Sequence, residues 1–354
     1  MENFKLVFAN TKKLKKQFIL FKRELYLGDK NYVSTAEFVL EDILYNKTKF
    51  AKSCKIYPFF IYQNNTLVLE ACIILHSQTD FLQLGFFEAK ENCQEAVDYM
   101  LNAVKKFAVD KGVKKIVIGI NGHLSYGVGI LVDGFNFKNS FDSEYNKQYY
   151  KEYFCKLKKE KLVTFYEKLE NLDDNRLKMP NDIIIRHCDL KNYYAEMELM
   201  RELCEKTIAK TFLYFPTQKG HFYELTKDLK IFLKPENLFF AQDRSGNYTG
   251  FIFWHPDFNQ MIKGGKTNSL LQIFFGYLFK GKKINVAKLN AIGSLNYKST
   301  IALLYHLNTL IRGKYDYLET TFVWENNVKS YTLNKKFFKK EHRRYEVYLI
   351  DEFS

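Results

Sequence analysis

Asn285-Val286-Ala287-Lys288-Leu289-Asn290-Ala291-Ile292, then Gly293-Ser294-Leu295-Asn296-Tyr297-Lys298-Ser299-Thr300, then an apolar run from Ile301 to Ile311 ending at Gly313, read as strand, turn and helix. A second strand, Tyr317 to Val323, follows and closes on Trp324-Glu325-Asn326-Asn327. A strand that feeds a helix through small polar residues leaves backbone N–H groups open at the helix start. With the helix dipole, those groups form a site for an anion. Ser299 or Thr300 can cap the helix, and Lys298 adds one positive charge. The same residues also suit a helix start that holds no ligand.

Upstream of this block, Leu238 to Gln242 and Tyr248 to Trp254 read as a strand pair turning through Ser245-Gly246-Asn247. The first half follows the same outline. After a basic amphipathic opening, Leu14 to Leu27, and a helix from Thr35 to Tyr45, strands are predicted at Pro58 to Gln63 and Leu67 to Ser77. Asn64-Asn65 joins them, a hairpin signal. Phe81 to Glu88 is a third strand, Gln94 to Val109 a helix stopped at Gly112, and Lys115 to Ile120 a fourth strand. A glycine-rich segment, 119 to 134, lacks the G-x-x-x-x-G-K pattern of a phosphate loop. Tyr145 to Phe154 reads as a tyrosine-rich helix that Asn327 to Phe338 echoes. A repeat of this period, with Gly112 and Gly313 in matching places, predicts two related domains. The polar stretch from Lys156 to Asn181, with a strand candidate at Leu162 to Tyr166, is the join, so the domains are expected at 1–176 and 177–354.

Asn296-Tyr297-Lys298-Ser299-Thr300-Ile301-Ala302-Leu303-Leu304 resembles the acyl-CoA loop of GNAT-type N-acetyltransferases. Gly85-Phe86-Phe87-Glu88, Gly129 to Phe135, Tyr145-Asn146, Tyr149-Tyr150, Pro256-Asp257-Phe258-Asn259-Gln260 and Trp324-Glu325-Asn326-Asn327 are similar to motifs of a bacterial group of tandem GNAT-like proteins. The resemblance runs from about Phe21 to Ile350. It implies an α+β fold of two tandem GNAT-like domains, each a mixed, mostly antiparallel sheet flanked by helices. It also implies transfer of an acyl group from acetyl-CoA or another acyl-CoA, or from an acyl-carrier protein, to an amine. Tyr297, Lys298 and Thr300 stand where that family carries an Arg or Gln and two glycines. Ala291, Ile292, Tyr297, Lys298, Ser299, Thr300 and Asn326 are the implied cofactor contacts.

Acyl transfer to an amine needs a base for the incoming amine, a backbone N–H for the thioester carbonyl and an acid for the leaving thiolate. Glu319, on the strand beside the loop, is the first base candidate and Glu325 the second; a strand carboxylate and a helix-start acid are their plainer readings. The family often places a Tyr acid on the last helix, where this chain has Asn334, with Tyr331 one turn earlier. Asp257 and Asn259, behind Pro256, are placed to line a substrate pocket or simply to form a turn. His255 and His306 are read as packing residues. In the first half, Glu88, Ala89, Lys90 and Glu91 put two acids and no glycine where a pyrophosphate would sit, so that half is expected to be non-catalytic.

The 354 residues carry a net charge of +14. Residues 1 to 30 and 328 to 344 account for +11 of it. Lys12, Lys13, Lys15 and Lys16, with Lys335, Lys336, Lys339, Lys340, Arg343 and Arg344, would attract a polyanion such as tRNA, an acidic carrier protein or a membrane surface; a solvated face is the alternative. The tRNA option leaves open an aminoacyl-tRNA-dependent transferase of the Fem kind, and a catalytically inactive GNAT-like binding module is the rival outside enzymes. Six cysteines without a C-x-x-C pair suit neither a zinc site nor a disulfide framework, so no metal is expected. With no signal-peptide pattern and no run of about 18 apolar residues, a cytoplasmic location is expected.

Overall fold

The computed structural model describes residues 3–34, 37–172, 177–214, 216–267 and 270–351. In chain order the elements are β1 (Phe4–Phe8), α1 (Lys12–Leu25), β2 (Val33–Ser34), α2 (Glu37–Leu44), α3 (Lys49–Lys52), β3 (Cys54–Gln63), β4 (Thr66–His76), β5 (Leu82–Ala89), α4 (Gln94–Asp110), β6 (Lys115–Ile118), β7 (Ile130–Asp133), α5 (Tyr150–Tyr153) and β8 (Lys158–Lys168). They continue with β9 (Ile183–His187), α6 (Tyr193–Thr207), α7 (His221–Thr226), β10 (Leu238–Asp243), β11 (Tyr248–Pro256), β12 (Lys266–Thr267), α8 (Leu270–Lys280), β13 (Val286–Ser294), α9 (Tyr297–Ile311), β14 (Tyr317–Thr320), β15 (Val323–Trp324), α10 (Val328–Phe337) and β16 (Glu341–Asp351).

The chain divides into two compact units, one of residues 1–162, 263–268 and 343–354, the other of residues 163–262 and 269–342. The expected division near residue 176 differs from this partition at both ends. Strand β8 already pairs with β14 through Tyr166, Glu167 and Lys168, and β16 returns to pair with β6 and β7. Each unit is therefore completed by a strand from the other half of the sequence.

In the first unit the strands run β1-β3-β4-β5-β6-β16, with β7 also on β16. Along this path β5 and β6 pair in parallel and the other described pairings are antiparallel, while β2 and β12 form a separate, short parallel pair. The β3–β4 hairpin turns through Asn64 and Asn65, both in the left-handed region at φ 48° and 65°. Asparagine tolerates that conformation, so the two-residue turn fixes the Gln63↔Thr66 register. Helix α4 presents Ala96, Val97, Met100, Leu101 and Val104 to the strands and ends before Gly112, whose φ of 68° a side chain would resist.

The second unit repeats the order as β9-β10-β11-β13-β14-β8, again with one parallel pair, β13–β14. Side chains alternate across the sheet. Phe239, Ala241, Ile252, Trp254, Ala287, Leu289 and Phe165 face α9 and α10, while Phe240, Phe251 and Phe253 pack with Tyr193, Met197, Leu203 and Phe222 of α6 and α7. Each buried aromatic of this kind stabilises by roughly 1.5–3 kcal/mol.

Three expectations change. The tyrosine-rich helix is confined to α5, because the Asn146 side chain bonds both the N–H and the C=O of Leu131, at 2.6 and 3.1 Å, and holds its own segment off the helix. The strand expected from Tyr317 to Val323 breaks into β14 and β15. Arg343 does not join a basic surface: it is buried, and its Nη2 donates to the carbonyls of Phe137 and Lys138.

Candidate functional site

Strands β13 and β14 pair from Val286↔Tyr317 to Leu289↔Thr320. Past that point β13 is irregular: its pairing with β11 steps from Leu289 to Ala291, which leaves Asn290 as a bulge. The second half of β13 then keeps β11 as its partner and runs on to Ser294. Between these strands, α9 and α10 lies a small apolar pocket, about 620 Å3 only when the open solvent at its mouth is counted. Ile292, Leu304, Leu307, Leu318, Leu333 and Phe337 are among its walls, and among the described residues Asn308 and Asn334 are the polar side chains that line it.

Helix α9, whose Leu304, Leu307 and Asn308 line this slot, begins about two turns earlier at Tyr297. Asn296 caps it, its Oδ1 accepting the Ser299 N–H at 2.9 Å and the Ser299 hydroxyl at 3.0 Å. Ser299 is buried against Thr249, and Thr300 bonds Ser294 across the turn at 2.6 Å. The first-turn amides left by this cap are those of Tyr297 and Lys298. Both side chains are exposed, and Lys298 is paired with Asp182 at 2.7 Å. Ala291 and Ile292 follow the bulge on β13, whereas Asn326 lies in the exposed turn before α10.

The catalytic candidates do not converge. Glu319 is 2% exposed and stands level with Lys288 on β13, its Oε1 3.6 Å from the ammonium. Register extends the row: His255 on β11 opposes Lys288, and Tyr166 on β8 opposes Glu319. Burial, then the Glu319 carboxylate, then Tyr317, Asp257 and Asp316 push the Tyr166 phenol well up. Asp257 thus acts on the same phenol as Glu319, but it is buried and its Oδ1 accepts the Asn259 N–H at 3.1 Å, closing a short turn; Asn259 is fully buried. Tyr331 stands outside this row. Its hydroxyl donates to Glu341 at 2.5 Å, and that bond, more than burial, raises its phenol. Glu325 is half-buried at the turn after β15. The histidines also separate: His255 is buried in the row, while His306 meets His187, their Nε2 atoms 2.7 Å apart.

The equivalent place in the first unit is filled. Tyr149, Tyr150 and Tyr153 reach the segment between β5 and α4. The Tyr150 hydroxyl accepts the Ala89 N–H at 2.7 Å and lies 2.8 Å from Glu88, and the Tyr153 hydroxyl accepts the Cys93 N–H at 3.1 Å. Phe87 packs on Tyr150, Tyr153 and Phe154 behind them. At the strand irregularity Phe86 takes φ 49°, and its N–H is satisfied by Asn121 at 2.7 Å.

Sequence reading missed Lys288 and Tyr166. A lone lysine between Ala287 and Leu289 in an apolar strand was the available signal. The slot residues gave none, since apolar positions on α9 look the same whether they meet a wall or an opening.

Among the described residues no group of three His, Cys, Asp or Glu could hold a metal, and no helix is long and apolar enough to cross a membrane.

No protein-family profile and no curated protein matches the sequence. Solved structures do. A tandem GNAT protein from the clavulanic acid biosynthesis pathway, determined without acetyl-CoA, aligns over 100% of both chains at 10% identity with a TM-score of 0.52. A GCN5-related N-acetyltransferase from Anabaena variabilis aligns over 98% of this chain and 72% of its own at 8% identity and a TM-score of 0.53. One from Sphaerobacter thermophilus aligns over 98% and 95% at 11% identity and a TM-score of 0.51. At these identities the likeness is one of fold. The chain has a tandem GNAT-like architecture, the acyltransferase fold that the sequence motifs implied.

Proposed function

We propose that the protein transfers an acyl group from an acyl-CoA to an amine, with the donor held by the second unit. The observation that carries this reading is the apolar slot between β13, β14, α9 and α10, whose α9 wall begins at Leu304, about two turns along the helix from the unused amides of Tyr297 and Lys298. A pocket with this apolar lining suits the apolar part of a small ligand. The residues present fit a pantetheine arm: Ile292, Leu304 and Leu307 would line it, and Asn308 and Asn334 would meet its amides. The Tyr297 and Lys298 amides and the Lys298 ammonium would face the pyrophosphate. Bound there, the thioester supplies the activated acyl carbon. Glu319 alternates with Leu318 and so lies on the face of the sheet opposite the slot, paired with Lys288; we assign it to accept the amine proton, with the acceptor entering from that face. In the first unit, tyrosine hydroxyls and Asn121 occupy the matching donors, which supports a non-catalytic role.

The test is direct binding of an acyl-CoA series, acetyl to palmitoyl, by calorimetry, followed by transfer to a panel of amines. Leu304→Trp, at a half-buried wall of the slot, should weaken binding at least roughly ten-fold while circular dichroism stays unchanged. Equal binding in the Leu304→Trp variant would move the donor elsewhere. No binding of any chain length would leave a binding module without transferase activity.

A further inference from the structure

The sequence Leu270-Leu271-Gln272-Ile273-Phe274-Phe275-Gly276-Tyr277-Leu278-Phe279-Lys280 forms α8, and apart from Gln272, Lys280 and the Tyr277 hydroxyl it is apolar. A helix of that kind belongs in a core or in lipid. Its inner stripe is accounted for. Ile273 is buried, a Cβ on Gly276 would lie 3.3 Å from Met261, and Tyr277 meets the rings of Phe232 and Phe258. Its outer stripe is not covered: Phe275, Leu278 and Phe279, spaced three and four residues apart, are 54%, 60% and 80% exposed.

Ile231 extends this patch. It is 69% exposed, and its neighbour Phe232 packs on Phe274 and Tyr277 of α8. Single exposed apolar residues need no explanation, but a contiguous group of this size marks an interaction surface.

The charges beside the patch select the partner. Residues 270 to 284 hold three lysines, Lys280, Lys282 and Lys283, and no acid. The segment around Ile231 adds Lys227, Lys230 and Lys234 against Asp228. Phenylalanine and leucine on an outward helix face, with lysines at its end, match a bilayer boundary: rings enter the acyl region and ammonium groups meet anionic headgroups. A protein partner or a second copy would use the apolar stripe equally but would have no need of the acid-free lysine end.

We infer that α8, together with Ile231, docks the protein onto an anionic membrane surface, lying in the interface rather than crossing it. The helix has 11 residues, too few to span the hydrocarbon core, which needs about 20. Docking of this kind is reversible, because it rests on a few side chains and on screened charge.

The experiment is sedimentation of the full chain with vesicles of equal phosphatidylglycerol and phosphatidylcholine, against phosphatidylcholine alone. The protein should pellet with the anionic vesicles at low salt and be released as salt rises. Phe275→Ser with Phe279→Ser should reduce partitioning roughly ten-fold or more. Lys280→Glu with Lys283→Glu should weaken only the anionic binding, by roughly five-fold or more for each lysine. These side chains point to solvent, so the variants should keep the wild-type melting temperature. A wild-type protein that stays in the supernatant with both vesicles at low salt overturns the inference. Partitioning that the phenylalanine variants leave unchanged does the same. So does light scattering that shows a dimer dissolved by Phe279→Ser, which would assign the face to a second copy.

Discussion

Lys288 and Glu319 give the sharpest test of how the second unit is built, because two opposite charges sit 3.6 Å apart with almost no exposure. At an effective dielectric of about 20, that separation is worth about 5 kcal/mol of attraction. Taking each ion out of water costs several kcal/mol, so the pair as a whole contributes little net stability. Removing one partner is a different matter, since the other charge stays buried without its 3.6 Å counter-charge. We predict that Lys288→Met and Glu319→Leu each destabilise by about 3–5 kcal/mol, and that the double variant costs much less than their sum. Urea unfolding followed by tryptophan fluorescence reads this unit alone, because the chain's two tryptophans, Trp254 and Trp324, both belong to it. Additive single costs, or singles that lose under about 1 kcal/mol, would refute the buried-pair account and leave Glu319 as an ordinary solvated carboxylate. The same variants bear on chemistry. Glu319→Gln keeps the shape of the side chain, so a transferase that retains full turnover in that variant does not use Glu319 as its base.

Two further outcomes follow from buried titratable groups. Burial first, and His187 second, lower His306 from its ordinary value to about 4. A depressed pKa contributes stability that is present above the unfolded value of about 6.5 and lost as pH falls through 4. The full shift would amount to about 3 kcal/mol, and half-exposure reduces it to on the order of 1. His306→Asn should remove that excess pH dependence between pH 7 and 4 in urea melts; identical slopes would rule it out. Glu70 in the first unit is the reverse case. Its carboxyl is fully buried without a hydrogen-bond partner beside Glu88, and desolvation raises it well above the usual range. Its contribution is present below its unfolded pKa and lost as pH rises through the raised folded value. Glu70→Leu should therefore be neutral or stabilising at pH 7, by up to about 1–2 kcal/mol, and a clear loss of stability would contradict this reading.

Much of this architecture could be read from local sequence because local chemistry fixes it. Asn64-Asn65 turns the first hairpin, Asn296 starts α9, and left-handed glycines at 112 and 313 follow α4 and α9. What was not legible is non-local. Nothing in Tyr345 to Ile350 says which of two similar sheets this strand completes, since each sheet has one strand in the equivalent place, and the pairing with β6 is settled by tertiary packing. The row from His255 through Lys288 and Glu319 to Tyr166 depends on the register of three strand pairs. A shift of one residue in any of them would turn the side chains to opposite faces. Tyr149, Tyr150 and Tyr153 advertised a helix by their spacing, yet their hydroxyls are committed to the backbone at 89, 90 and 93.

That last difference is a physical route by which one strand order could support the two roles proposed above. In both units a parallel pair, β5–β6 or β13–β14, lies beside an irregularity in its first strand. Such a place must satisfy the amides it exposes, from inside the protein or from a ligand. The first unit answers with phenols: three tyrosines and Asn121 meet the backbone, and Phe87 and Phe154 fill the space behind. The second unit carries Leu333, Asn334 and Phe337 on the corresponding helix, of which only Asn334 can bond an amide, and it is turned partly to Ser330 at 2.9 Å. Among the described residues that line the opening, Asn308 and Asn334 are the polar ones, and neither fills it as the tyrosines do in the first unit. Placing a tyrosine at Leu333 would imitate the first unit, and on this argument Leu333→Tyr should close the slot, raise the melting temperature and abolish acyl-CoA binding together. A variant that gained stability yet still bound acyl-CoA would separate the opening from the donor site.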